Sequence, residues 1–237
     1  MVGYWELKPP PELRGSVECL WVRVVPSDGA PAARILPDAC SDLIWRSGEG
    51  AFIAGPDTSA WLSTSPPGTV LVGARFLPAV GGPALGLPLS ELRNMRVDLA
   101  ELLPKLDERL QPDLDPGTAL RRAAQSATEL VGSGSPDLAM RAAVRRLRDP
   151  RARVETLADE LGLSQRQLRR RFHAAVGYGP KTLQRVLRFR RFLTEAGTTA
   201  DPELAQLAFD AGYADQAHLT REAVRLGGLT PSRLLGG

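Results

Sequence analysis

Two kinds of hydrophobic pattern divide the chain. Before residue 77, short runs of β-branched and aromatic residues alternate with Pro, Gly, Ser and Asp, which is typical of strands joined by turns. Side chains alternate crudely within several of the runs, so we expect a small barrel or sandwich rather than a parallel sheet with crossover helices. The predicted strands are VECLWVRVV (17–25), ARILP (33–37), DLIWR (42–46), AFIAG (51–55) and TVLVGARF (69–76).

Beyond residue 90 the apolar residues recur at helical spacing. A leucine stripe from Leu99 to Leu110 is broken by Pro104 and predicts short helices, while residues 117–131 predict a longer one. The spacing then predicts further helices, among them a long one over 180–196.

The Gly/Ser-rich segment GSGSP at 132–136 predicts a linker between these patterns. We therefore expect an α+β protein of two parts. Residues 1–131 form a β-rich module with following helices, and residues 137–237 form an all-α part.

Residues 154–183 carry two short helical patterns around Gly162, which permits the positive φ of a tight turn. Ser164 can cap the second helix. Leu168 and Phe172 continue one apolar stripe, so this helix has a buried side and a free side. The free side carries long side chains that suit base edges or phosphates in a DNA major groove. These side chains are Gln165, Arg166, Arg169 and Arg170.

The same pattern returns about fifty residues later, from Leu204 onward. The two copies align leucine with leucine, turn glycine with turn glycine and proline with proline. In the second copy Asp215 takes the capping position of Ser164. The repeat therefore predicts a second helix-turn-helix unit whose base-reading positions are Gln216, Ala217, His218, Thr220 and Arg221.

The predicted helix over 180–196 sets the distance between the two units. At 1.5 Å per residue it spans about 25 Å. With the helices that it joins, it can place the two recognition helices about 34 Å apart, which is one turn of DNA. One chain could then read two successive major-groove segments.

Residues 137–235 resemble the DNA-binding domain of AraC-type transcriptional regulators, which has two helix-turn-helix units joined by a long helix. The most specific parts are Gly212-Tyr213, the Leu-Thr-Arg of the second recognition helix, and Gly-Leu-Thr-Pro at 228–231. Ala223 departs from the family's usual core Phe, and Leu183 and Leu234 replace common aromatics. The resemblance implies that Arg166, Arg169 and Arg170 of the first unit, and Gln216, Ala217, His218, Thr220 and Arg221 of the second, contact bases and phosphates.

The segment from Trp21 to Leu103 is similar to the small N-terminal module of a subgroup of AraC-like regulators whose ligand is generally unassigned.

The net charge also differs between the two parts of the chain. Residues 1–136 hold 12 basic and 16 acidic side chains, net −4, and residues 137–237 hold 18 and 11, net +7. Between Glu160 and Glu195 there are nine basic and no acidic residues, which suits phosphate attraction.

The sequence offers little for catalysis or metal binding. Its two cysteines, Cys19 and Cys40, form no CxxC motif and have no histidine cluster nearby, so we expect neither metal nor disulfide framework. No catalytic triad, carboxylate pair or phosphate-binding glycine loop can be assembled, so we expect no enzyme and no cofactor. Without a signal peptide or a membrane-length apolar run, the chain is expected to be cytoplasmic, with no membrane partner.

We therefore interpret the chain as a transcription factor with a sensor or dimerisation module before a double helix-turn-helix DNA reader. Its partners are double-stranded DNA and, as candidates, RNA polymerase and an unidentified small-molecule effector, with the chain a monomer or homodimer. Two alternatives remain open: a DNA alkylation sensor that accepts a methyl group on an N-terminal cysteine, and a module that serves only for dimerisation. Neighbouring Asp38 and Asp42 argue against a reactive Cys40. Trp45 and Trp61 are expected in the core or in a ligand cavity.

Overall fold

The computed structural model describes residues 3–198 and 203–236. Its N-terminal part is built on one six-stranded antiparallel sheet with strand order β1-β2-β7-β4-β5-β8, accompanied by a two-stranded ribbon of β3 and β6. The strands are β1 Gly3–Leu7, β2 Val17–Val24, β3 Ala33–Ile35, β4 Ser41–Arg46, β5 Gly50–Ala54, β6 Trp61–Ser63, β7 Val70–Phe76 and β8 Arg96–Asp98.

The five predicted strands are all present, and every pairing is antiparallel, as the short turns between them require. Sequence analysis missed β1, β6 and β8. Each of these is short, with strand residues that are half or fully exposed, so none has the buried apolar run that identified the others.

Side chains alternate between the two faces of the sheet, so each face contributes to a different apolar cluster. One face packs against helix α4, Pro116–Ser133, and buries Leu43, Trp45 and Val72. The other face carries Trp21, Ile44 and Leu71 in a smaller cluster. This second face looks toward the C-terminal part of the chain.

Helix α4 begins at Pro116, one residue before the helix predicted over 117–131. Asp115 caps it by accepting a hydrogen bond from the Thr118 amide, and a proline occupies the first position. The helix runs two residues into the predicted linker, to Ser133. Shorter helices precede it: α1 Gly81–Leu85, α2 Leu99–Leu102 and α3 Pro104–Asp107, with 3-10 turns at Pro11–Leu13 and Leu89–Leu92.

In the described residues of the C-terminal part, the regular elements are all helices. Its core surrounds the long helix α8, whose Phe189 and Phe192 are fully buried. Ala39 and Ala79 of the N-terminal part lie in this same core, so the two parts share an apolar boundary. The helices are α5 Leu138–Leu147, α6 Leu157–Glu160, α7 Gln165–Val176, α8 Pro180–Thr198, α9 Leu204–Asp210, α10 Gln216–Gly227 and α11 Pro231–Leu235.

Candidate nucleic-acid interface

The first helix-turn-helix unit consists of α6 and α7, joined through Gly162 at φ 64°. Ser164 caps α7 as predicted. Its Oγ accepts a hydrogen bond from the Gln167 amide at 3.2 Å, and Gln167 Oε1 accepts from the Ser164 amide at 2.9 Å. This reciprocal capping box fixes the start of the recognition helix.

One side of α7 is buried through Leu168 and Phe172, and the other is open to solvent. His173 lies half-buried at the end of the open side. Burial, with the positive charges of Arg169 and Arg93, lowers the pKa of His173, so its imidazole is neutral at pH 7 and offers one donor and one acceptor. The residues that line this shallow surface depression are Gln165, Arg166, Arg169, Arg170 and His173.

The second unit repeats the arrangement with α9 and α10, joined through Gly212 at φ 85°. Asp215 caps α10 by accepting from the His218 amide at 2.6 Å. The predicted readers occupy the first two turns of α10, where Gln216, Ala217 and Arg221 are exposed. His218 and Thr220 are half-buried: the His218 ring stands edge-on to Tyr213, and the Thr220 hydroxyl donates to the Gln216 carbonyl.

A buried ion pair attaches the second recognition helix to the helix between the units. Arg185 of α8 forms a bidentate pair with Glu222 of α10, with Nε–Oε2 at 2.6 Å and Nη2–Oε1 at 2.9 Å. Ala223, which stands in the position of Phe172 in the repeat, is completely buried. The second unit thus combines the small core residue noted in the sequence with an ion pair to α8 that the sequence did not suggest.

The nine basic residues between Glu160 and Glu195 are not equally available to a phosphate. Six of them are engaged within the chain: Lys181 with Glu155, Arg171 with Asp137, Arg185 with Glu222, Arg188 over the Tyr213 ring, Arg190 with Glu18, and Arg191 with the Arg148 carbonyl. Within residues 3–198 and 203–236, the remaining three have no ion pair or hydrogen bond. These three are Arg166, Arg169 and Arg170, all on the open side of α7.

A cavity of about 530 Å³ lies between the second face of the sheet, the β3–β6 ribbon and α8. Four aromatic side chains line it: Tyr4, Trp21, Phe52 and Trp61. Trp61 is 45% exposed there, whereas Trp45 is fully buried in the core on the opposite face.

Arginine–carboxylate pairs form the polar part of the cavity wall. Arg96 is bidentate to Asp57 at 2.6 and 2.7 Å and lies over the Trp61 ring. Arg75 lies 3.3 Å from both Asp38 and Asp42. Burial raises the pKa of Asp42 to about 6, against the opposing effect of Arg75.

Both cysteines are free and buried. Burial, with the nearby charges of Asp38 and Glu18, raises the pKa of Cys40 well above its usual value, and its Sγ lies 3.4 Å from Glu18 Oε2. Burial likewise raises the pKa of Cys19 to about 12. A thiol that accepts a methyl group must ionise and must be accessible to the methylated DNA. Two buried thiols with raised pKa values do not support the methyl-acceptor alternative.

Among the described residues, no group of three or more His, Cys, Asp or Glu side chains is placed to hold a metal ion. The same part of the chain contains no helix with the length and apolar character needed to cross a membrane.

Two family models match the chain. Residues 157–236 match the one described as "Helix-turn-helix domain", and residues 5–98 match "Domain of unknown function (DUF6597)". None of the curated proteins matches.

Solved structures of ToxT from Vibrio cholerae are similar to the chain at low identity. One shares 13% identity over 91% of this chain and 95% of its own, with a TM-score of 0.48. Another, of ToxT bound to an unsaturated fatty acid, shares 12% over 99% and 94%, with a TM-score of 0.47.

The family match covers the repeated units whose capped helices, glycine turns and free arginines are described above. The chain is a DNA-binding transcription regulator that carries an AraC-type helix-turn-helix domain in its C-terminal part.

Proposed function

We propose that the regulator reads two successive major-groove segments of double-stranded DNA with α7 and α10. The observation that carries this proposal is the set of three unpaired arginines on the open side of the capped helix α7. Arginine without an internal partner is free to form bidentate bonds to guanine or to pair with phosphate. In the second unit, Gln216, Ala217, His218, Thr220 and Arg221 fill the equivalent place with less charge.

Selection of bound DNA with the purified full chain tests this reading, because it gives both the operator and its half-site spacing. Arg169→Ala or Arg170→Ala should weaken binding by about 1 to 3 kcal/mol and change the base preference in one half of the operator. Arg121→Ala is the matched control, since Arg121 is an exposed arginine on α4. Equal losses for Arg169→Ala and Arg121→Ala would place the interface elsewhere.

We also propose that the N-terminal module binds a small molecule in the cavity between the sheet and α8. A concave site with aromatic walls and a few fixed polar groups is the usual form of a ligand site. Its arginines are mostly neutralised by carboxylates of the chain, so the wall suits a ligand with an apolar or aromatic body and few hydrogen-bonding groups. Contact with α8 would connect such a ligand to the helix between the two DNA readers.

Thermal-shift screening against a metabolite panel tests the cavity. A ligand that binds there should lose its stabilising effect in Trp61→Ala, because Trp61 lines the cavity. Leu62→Ala is the control: Leu62 is the next residue in β6, is 55% exposed and lies outside that lining. If no compound shifts the unfolding temperature and the chain sediments as a dimer, dimerisation becomes the better function for the module.

RNA polymerase is a further proposed partner of the DNA-bound regulator. Transcription from the selected operator with purified polymerase tests this, and a change in transcript level that requires the operator is the expected result.

A further inference from the structure

The N-terminal module touches both recognition helices at the same place. Helices α7 and α10 end at Gly177 and Gly228, which are equivalent in the repeat and both adopt positive φ, 91° and 73°. A Cβ atom on Gly177 would lie 2.5 Å from Pro56 Cγ, and one on Gly228 would lie 2.9 Å from Arg34 Nη1. Each helix therefore ends directly against a residue of the module.

The two contacts differ in strength. At Gly177 the contact is broad: the 3-10 turn Leu89–Leu92 and α1 also pack against α7. At the end of α10, the one hydrogen bond from the module among the described residues runs from Nη1 of Arg34 in β3 to the Gly227 carbonyl, at 3.0 Å. Carbonyls in the last turn of a helix lack intrahelical partners and carry the negative end of the helix dipole, which a guanidinium satisfies.

Arg34 belongs to the least anchored part of the sheet structure. In the part of the chain that the structure describes, β3 pairs only with β6, and this ribbon forms a sheet separate from the six-stranded one. Arg34 also lines the cavity, where Arg75, Arg96 and Arg190 pair with carboxylates. Within the described residues, the Gly227 carbonyl is the one hydrogen-bond partner of the Arg34 guanidinium. The Arg34 side chain therefore links the ribbon directly to the end of α10.

We propose that Arg34 is a positioning residue that fixes the second recognition helix relative to the first, and so sets the half-site spacing that the regulator accepts. The inference rests on the proposed reading of DNA by both helices. The module packs broadly against the first unit, so loss of Arg34 removes its hydrogen bond to the second unit and leaves the first unit in place. Packing on α8 and the Arg185–Glu222 pair still hold α10 in the fold, so the expected effect is a looser end of α10 and not release of the unit.

Amide hydrogen exchange of the full chain without DNA tests the contact itself. In Arg34→Ala, amides at the end of α10 and in α11 should exchange about tenfold faster than in the wild type, with no change at the end of α7. Arg34→Lys retains the positive charge at the helix end and should recover part of the protection. Arg23→Ala is the matched control, because Arg23 lines the same cavity and its side chain has no hydrogen bond or ion pair within the described residues.

The effect on DNA reading is tested with operators whose half-sites are intact but lie one or two base pairs farther apart or closer together. The wild type and Arg23→Ala should lose about tenfold in affinity for each altered spacing, and Arg34→Ala should lose much less. Unchanged exchange in α10 of Arg34→Ala overturns the contact. Faster exchange with an unaltered spacing profile overturns the link to DNA reading, whereas absence of any sequence-specific binding by the wild type overturns the proposed function on which it rests.

Discussion

Removal of the Glu222 carboxylate should loosen the second helix-turn-helix unit more than any surface substitution in it. Glu222 and Arg185 form two short hydrogen bonds between α10 and α8, and their side chains are 12% and 25% exposed. Loss of one partner from a buried pair costs about 3 to 5 kcal/mol, because the other charge stays buried without compensation. Arg185 retains some access to water, so we expect a lower value for Glu222→Ala, about 2 to 3 kcal/mol.

Urea unfolding followed by circular dichroism measures this loss. In thermal unfolding, a loss of about 2 to 3 kcal/mol should lower the unfolding temperature of a protein of this size by about 5 to 10 °C. The double variant Arg185→Met/Glu222→Met is the control, since replacement of both charges by apolar side chains removes the uncompensated guanidinium and should recover most of the stability. A cost below about 1 kcal/mol for Glu222→Ala, of the kind seen for surface pairs, would refute the reasoning. So would a double variant less stable than the single one.

Four further outcomes are expected. Arg221→Ala should weaken DNA binding less than Arg169→Ala or Arg170→Ala, because the first unit holds three free arginines; a larger loss for Arg221→Ala in an anisotropy titration would contradict a dominant first unit. Affinity should fall steeply between about 50 and 200 mM salt as the arginines release counterions, and a flat titration would mean that the basic side of α7 does not meet phosphate. Residues 137–237 expressed alone should fold and bind DNA, and insolubility of that fragment beside a folded full chain would count against the domain division. The raised pKa of Asp42, about 6, means that the native state keeps a proton which the unfolded chain releases near pH 4. Stability should therefore fall as the pH rises from about 4 to 6, and Asp42→Asn should remove that slope.

Local features of the fold were predictable from the sequence. Ser164 and Asp215 could be identified as helix caps because capping is a local interaction: each side chain accepts a hydrogen bond from the backbone amide three residues ahead. The same holds for the open side of α7, since the apolar stripe of Leu168 and Phe172 determines which residues face solvent.

Side-chain partners distant in the sequence were not predictable. Arg171, Arg185 and Arg190 look like further phosphate ligands in a run without acidic residues. Their carboxylate partners lie 34, 37 and 172 residues away, so only the folded chain shows that they are engaged. The sequence offered Trp45 and Trp61 as candidates for a ligand cavity, and Trp61 does line one. The walls of that cavity were not predictable, because the ribbon strands and α8 come together only in the tertiary structure.

The apolar boundary between the two parts of the chain limits how new regulators could be assembled from it. Ala39 and Ala79 of the sheet module lie in the core around α8, and Arg190 of that helix donates to the Asp38 carbonyl and to Glu18. A chimera joined within 132–136 would keep the DNA reader but lose these partners, leaving a half-buried guanidinium and uncovered apolar surface. The N-terminal module and the DNA-binding part therefore have complementary surfaces. A functional chimera must retain the residues on both sides of that boundary as well as a suitable linker.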